Sequence, residues 1–241
     1  MIVHQVYGLF CDNKPMNELF VASSKAWKEY CDKNNYIYKL WNEKECNELV
    51  ETYTKIKEYY YDVKYPVMKC DIIRFLIIYQ FGGLYVDLDV IPNKFMIKID
   101  ESKLTICKYM NKKQPLDIEM VYSPKYNNDL YNYLLYIPTQ IREKNEIKIY
   151  DDWKIRYIFQ TTGPASFRRY LKINNIKFNI IKVCHLDEHD KYPYKIDKNK
   201  YGDYDYDCLS YFSLSYSPFK YKTFIYNNKK KVKISDVVEN I

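Results

Sequence analysis

Glycine is scarce in this 241-residue chain, with five in all, and no Gly-x-Gly-x-x-Gly occurs. A nicotinamide or flavin site of the dinucleotide-fingerprint type is thereby excluded. The seven cysteines, at 11, 31, 46, 70, 107, 184 and 208, include no Cys-x-x-Cys pair, so zinc-ribbon and thioredoxin-like signatures are missing too. Their odd number and scatter fit buried reduced thiols in a reducing compartment. Arginine occurs only five times, at 74, 142, 156, 168 and 169, although the formal net charge is +7. Lysines spread along the chain carry that charge, which speaks against a nucleic-acid partner and is compatible with an anionic substrate. No apolar run reaches the length of a membrane span, and the opening MIVHQVYGLFCDNKP is too short and polar for a signal peptide. The expectation is a cytoplasmic protein without a membrane span, in a bacterium or in a host cell if the chain is viral. Alanine is confined to 22, 26 and 165 while Tyr, Ile, Asn and Lys abound, the mark of an AT-rich coding bias. The many tyrosines therefore carry little functional weight by themselves.

A chain of this length fits one large domain that buries roughly 70–75% of its unfolded surface. The stretch PVMKCDIIRFLIIYQFGGLYVDLDV, Pro66 to Val90, organises the rest. From Val67 to Phe81 nearly every position is apolar, Pro66 stands where a first helical turn tolerates it, and Gly82-Gly83 supplies the stop. A buried helix is predicted. It carries Asp71 and Arg74 three positions apart, on one face. Ionised groups are costly to bury without partners, so these two form a structural ion pair or belong to a site. Beyond the glycines, Leu84, Val86, Leu88 and Val90 alternate with Tyr85, Asp87 and Asp89. That alternation predicts one strand with the tyrosine and both carboxylates on one side. Adjacent carboxylates repel, and they are tolerated when solvated or when they face a hard divalent cation, which prefers oxygen ligands. For Asp-x-Asp alone a solvated strand end is the alternative.

The run D-I-I-R, seven residues, then G-G-L-Y-V-D-L-D-V resembles the core of the glycosyltransferase family whose sugar-nucleotide-binding region contains the DxD motif. That family includes the yeast outer-chain mannosyltransferase and is similar to the catalytic domain of the large clostridial glucosylating toxins. The resemblance implies a single α/β domain of GT-A-like fold, with a mixed, mostly parallel central sheet flanked by helices. A nucleotide-sugar half would span about 1–100, an acceptor-side half about 101–226 and a basic tail 227–241. It also implies a retaining transfer from a nucleotide-sugar donor, UDP-sugar favoured over GDP-sugar, to a glycan or protein acceptor, with manganese or magnesium as cofactor. Carried over position by position, Asp89 would bind the metal and Asp87 would share that work through water or by bonding ribose and sugar hydroxyls. Arg74 would place its fork on the diphosphate or a sugar oxygen, and Asp71 would accept from donor-sugar hydroxyls. The opening IVHQVYG is similar to the family's I-H-Q-x-W strand, with Tyr7 in place of the tryptophan that stacks on the base. A packed strand residue is the alternative for Tyr7, and His4 is expected to be structural. No residue stands out as a nucleophile.

Elsewhere the pattern predicts a strand over Ile2–Tyr7, a helix over Met16–Lys33, a strand over Tyr36–Trp41 and a helix capped by Asn42 with Glu43 and Glu45 in its first turn. Further strands are predicted over Leu104–Tyr109, Ile118–Tyr122 and Phe178–Val183. Helices are predicted over Asn127–Tyr136 and Asp151–Gln160, with Thr161-Thr162-Gly163-Pro164 breaking the chain before a short helix that ends near Leu171.

One rival motif stands at His185, Glu188 and His189, which read as H-x-x-E-H. A zinc hydrolase would need both histidines on one helical turn. The strand pattern before them and Tyr192-Pro193 after them favour an acidic loop instead. A non-catalytic carbohydrate or nucleic-acid binding module is the other alternative. In the last third, Ser213 and Ser215 are candidates for a lid over the donor or a third metal ligand, in place of the family's histidine and serine-tryptophan pair. No histidine follows 189, so that part of the pattern departs from the family.

Overall fold

Strand β1 (Ile2–Val6) lies between two parallel neighbours, β2 (Ile37–Trp41) and β3 (Gly83–Val86). Helix α1 (Glu18–Asn34) makes the first crossover; the Asn17 side chain accepts from the Phe20 N–H at 2.9 Å, and Asn35 ends the helix in the left-handed region. Asn42 forms a capping box with Glu45 at the start of α2 (Glu43–Glu51), as its sequence predicts. Helix α3 (Thr54–Tyr60) leads into α4 (Pro66–Phe81). The computed structural model describes residues 1–9, 15–110, 116–144, 153–186, 205–211, 224–227 and 230–233.

The chain continues with β4 (Val90–Pro92), β5 (Thr105–Tyr109), β6 (Leu116–Ser123), α5 (Asn128–Lys144), α6 (Trp153–Thr161), α7 (Pro164–Ile173), β7 (Asn179–His185) and β8 (Cys208–Ser210). Eight strands form one sheet in the order β2-β1-β3-β6-β5-β7-β8-β4. Four of its seven pairings are parallel, so the sheet is mixed and mostly parallel. A separate hairpin pairs β9 (Phe224–Asn227) with β10 (Lys230–Lys233). Among the described residues no helix is long and apolar enough to cross a membrane. Six described cysteines are unbridged and buried, and Cys11 lies outside the described residues.

Each face of the sheet has its own core. Ile72, Phe75, Leu76, Tyr85, Val121, Tyr133 and Phe167 fill one, where α4 packs with α5 and α7. Val3, Trp27, Leu84, Val86 and Met120 fill the other beneath α1. Alternate residues of β3 thus feed opposite layers, as strand geometry requires.

The double glycine after α4 is required by geometry. Gly82 and Gly83 have φ of 70° and 101°, and a Cβ on Gly83 would stand 2.3 Å from the Ile2 carbonyl oxygen. His4 secures this corner: Trp41 Nε1–H donates to its Nδ1 at 3.2 Å, so Nε2 holds the proton and donates to the Gly82 carbonyl at 2.8 Å. Burial pushes its pKa down to about 4. Between that value and the unfolded value of about 6.5 the unfolded chain binds the extra proton, so stability falls as pH falls. Urea denaturation is expected to show about 2 kcal/mol lost between pH 7 and pH 5 through this group. His4→Gln should remove that share of the slope; an equal slope in both proteins would refute it.

Two elements differ from their predicted extents. Helix α5 runs on through Pro138 to Lys144, although a proline cannot donate to the carbonyl four residues back. The Tyr59 hydroxyl supplies the missing donor, reaching the Leu134 carbonyl at 2.8 Å. The predicted strand from Leu84 to Val90 is two strands with a turn between them. Strand β3 ends at Val86, the Val90 N–H closes onto the Asp87 carbonyl at 3.2 Å, and β4 leaves to pair with β8.

Candidate functional site

That turn carries the two acids. It sits at the carboxyl end of β3, beside the carboxyl end of β1 and against an antiparallel β6. In open α/β sheets this is where ligands bind, outside the strand ends where the order reverses.

Helix α4 sends one buried cation to the turn. Arg74 Nη1 bonds Asp87 Oδ2 at 3.1 Å and the Ile118 carbonyl at 2.7 Å, while Nη2 lies 3.1 Å from Asp71 Oδ1. Its Nε donates to the Cys70 carbonyl at 3.3 Å, and the guanidinium lies 4.9 Å from the centre of the Tyr85 ring. The Tyr85 hydroxyl donates to Asp87 Oδ1 at 2.8 Å, so both Asp87 oxygens already accept a bond from the protein. Asp71 is closed off on its other side by the Thr162 hydroxyl, 2.8 Å from Oδ2. Thus the helix pair and the strand acid form one chain, Thr162–Asp71–Arg74–Asp87–Tyr85. The side chains of Arg74 and Asp71 are 5% and 6% exposed, that of Asp87 29%. Of the five, Asp87 alone meets solvent.

Burial pushes the Asp87 carboxyl up to about 7; Arg74 works against that shift and the charge of Asp89 adds to it. Asp71 is raised by burial, with Arg74 and Thr162 opposing. Strand β6 adds two further acids: burial pushes Asp117 up to about 6, and burial followed by the charges of Asp117 and Asp89 holds Glu119 well above the carboxylate range.

Asp89 stands in the turn, half-buried, with its carbonyl accepting the Tyr211 N–H at 2.9 Å. Tyr7 follows β1 at the same end of the sheet, half-buried, its ring edge-on to Phe20 at 6.3 Å. The structure therefore brings Tyr7, Asp71, Arg74, Asp87 and Asp89 to one end of the sheet. Ser213 and Ser215 lie outside the described residues. His185 closes strand β7, packed edge-on against Tyr109 at 5.0 Å, and Glu188 and His189 lie outside the described residues. The helix that a zinc hydrolase would need does not begin at His185. Among the described residues, no three His, Cys, Asp or Glu side chains converge as a metal-binding group.

Residues 17–111 match the family model described as glycosyltransferase sugar-binding region containing DXD motif. This stretch of the chain is similar to that family. The DXD acids are Asp87 and Asp89, and the region includes α4 with its Asp71–Arg74 pair. Mannosyl phosphorylinositol ceramide synthase SUR1 of Saccharomyces cerevisiae is 29% identical over 147 residues, which cover 57% of this chain and 35% of that protein. Inositol phosphoceramide mannosyltransferase 3 of Schizosaccharomyces pombe is 34% identical over 61 residues, 25% of this chain and 17% of that protein. The chain thus matches about a third or less of the length of these curated relatives. Among solved structures, the PaToxG glycosyltransferase superposes with a TM-score of 0.53 at 15% identity, over 72% of this chain and 69% of that one. The fold around the DXD region is GT-A-like.

Sequence reasoning missed Thr162, Gln5 and Glu119 as members of this site. Thr162 opens the T-G-P turn, which is similar to one that lies beside the donor site in the family but which the pattern of residues by itself marks only as a break. Gln5 reaches the Asp87 carbonyl with its Nε2 at 3.3 Å. A signal for Glu119 was present: in L-D-I-E-M two acids alternate with apolar residues, as they do at 87 and 89.

Proposed function

We propose that this chain transfers a sugar, with retention, from a nucleotide diphosphate donor to a hydroxyl of a glycan or protein acceptor. The observation that carries the reading is a DXD turn at the carboxyl end of β3 whose first acid is fixed by a buried arginine and a tyrosine. The donor set fits a hard divalent cation, manganese or magnesium, since two carboxylates leave coordination positions for diphosphate oxygens and water. Asp89 would bind it directly and Asp87 through its remaining lone pairs. When bound, such a cation supplies neutralisation of the charge that develops on the leaving diphosphate.

This chain's own residues supply position. Asp87, held at both oxygens, keeps one orientation towards ribose and sugar hydroxyls. Asp71 and Arg74 act through Asp87 in this proposal, because nearly all of their polar atoms are buried and bonded within the protein. Tyr7 offers a ring to the base, worth about 1–3 kcal/mol on comparable stacking surfaces. UDP is the first nucleotide to test, on the resemblance to the glucosylating toxins. No protein nucleophile is assigned.

A thermal-shift panel of UDP, GDP and CDP, each with and without manganese, tests the reading. One nucleotide at 100 times its dissociation constant is expected to add about 2.7 kcal/mol, or roughly 5–11 °C, and only with the metal. No shift with any nucleotide, or an equal shift in EDTA, would sink it. Stabilisation by zinc alone that is lost in His185→Ala would put the hydrolase first.

A further inference from the structure

Glu119 lies in the middle of β6, 5% exposed, where an apolar residue would pack without cost. Its main-chain carbonyl accepts the Asp87 N–H at 2.8 Å, the last rung before the turn. Its Oε2 accepts the Ser210 hydroxyl at 2.9 Å. Ser210 is the last residue of β8 and pairs with Val90, the residue after the DXD turn. The next amide, that of Tyr211, donates to the Asp89 carbonyl at 2.9 Å. One residue therefore reaches both ends of the turn, one directly and the other through Ser210, though β6 and β8 are not neighbours in the sheet.

We propose that Glu119 is a positioning residue for the DXD turn: its main chain holds Asp87, and its carboxyl, through Ser210, holds the strand end whose next amide holds Asp89. A buried acid in the middle of a strand is a poor choice for stability alone. Here it ties β6 to β8, two strands that are not neighbours in the sheet. The proposal rests on the DXD turn being the donor site, but its test does not need a donor.

Hydrogen exchange of the ligand-free protein reads it. In Glu119→Ala the amide of Tyr211 is expected to exchange about tenfold faster, with that of Asp87, whose main-chain acceptor the substitution keeps, and the β1–β2 rungs unchanged. Glu119→Gln keeps an acceptor for Ser210 and should restore the wild-type rates. Should the alanine variant not fold, Ser210→Ala deletes only the hydroxyl and is expected to raise exchange at Tyr211. An unchanged rate at Tyr211 would overturn the proposal, as would a uniform rise across the sheet, which means that Glu119 carries the fold and not the turn. The expected pattern in a wild-type protein that binds no manganese–nucleotide would remove the donor-site reading and leave the positioning role standing.

Discussion

Asp89→Asn is expected to lower the rate of sugar transfer, or of donor hydrolysis without acceptor, by about 10²–10³-fold while the melting temperature stays unchanged. Asparagine has the shape of aspartate, and the turn is held through the Asp89 main-chain carbonyl, which the substitution leaves in place. What disappears is one anionic oxygen where the diphosphate's charge must be balanced. Asp87→Asn makes the informative comparison. It removes a charge from the same site but also takes from Arg74 one of its two carboxylates, so it should lower both rate and stability. Initial rates of nucleotide release with manganese, beside melting curves of both variants, separate the two roles. A full rate in Asp89→Asn would refute the assignment.

Much of this arrangement is legible in the order of residues because it depends on local periodicity. The apolar run over α4, the double glycine and the alternation of β3 each predict their own geometry. Asp71 and Arg74 meet because i and i+3 share a helix face. The break after Val86 was not legible. Alternation continues to Val90 in the sequence, yet the chain turns, since β8, more than a hundred residues later, offers β4 a partner, Ser210 for Val90 among them, and the ladder to β6 ends at Val86. The same limit hides Thr162: a hydroxyl in a turn after α6 closes onto Asp71, 91 residues away, and nothing local announces the contact. Pro138 shows the converse, a local rule overridden at a distance by the Tyr59 hydroxyl. Local rules named the acids; long-range pairing decided how they are held.

Arg74 is the residue on which that holding depends. Removing one partner from a buried ion network leaves uncompensated charge, so Arg74→Met is expected to cost about 3–5 kcal/mol and to lower the melting temperature by roughly 6–20 °C. Methionine fills much of the volume, and lost packing is therefore a small part of the effect. The pH dependence identifies the cause. Without the guanidinium, burial raises Asp71 and Asp87 further above their unfolded values, and a group raised in the folded state contributes stability below its folded pKa that is lost as pH rises. The gap between variant and wild type should therefore widen from pH 5 to pH 8 in urea denaturation. Adding Asp71→Asn to Arg74→Met removes one of the stranded charges and is expected to recover part of the loss, a coupling that distant sites do not show. Arg74→Lys retains the charge but not the fork that serves Asp71, Asp87 and the Ile118 carbonyl together, so it should fall between wild type and Met. A loss below about 1 kcal/mol in Arg74→Met, or one that does not vary with pH, would mean that the network does not fix Asp87.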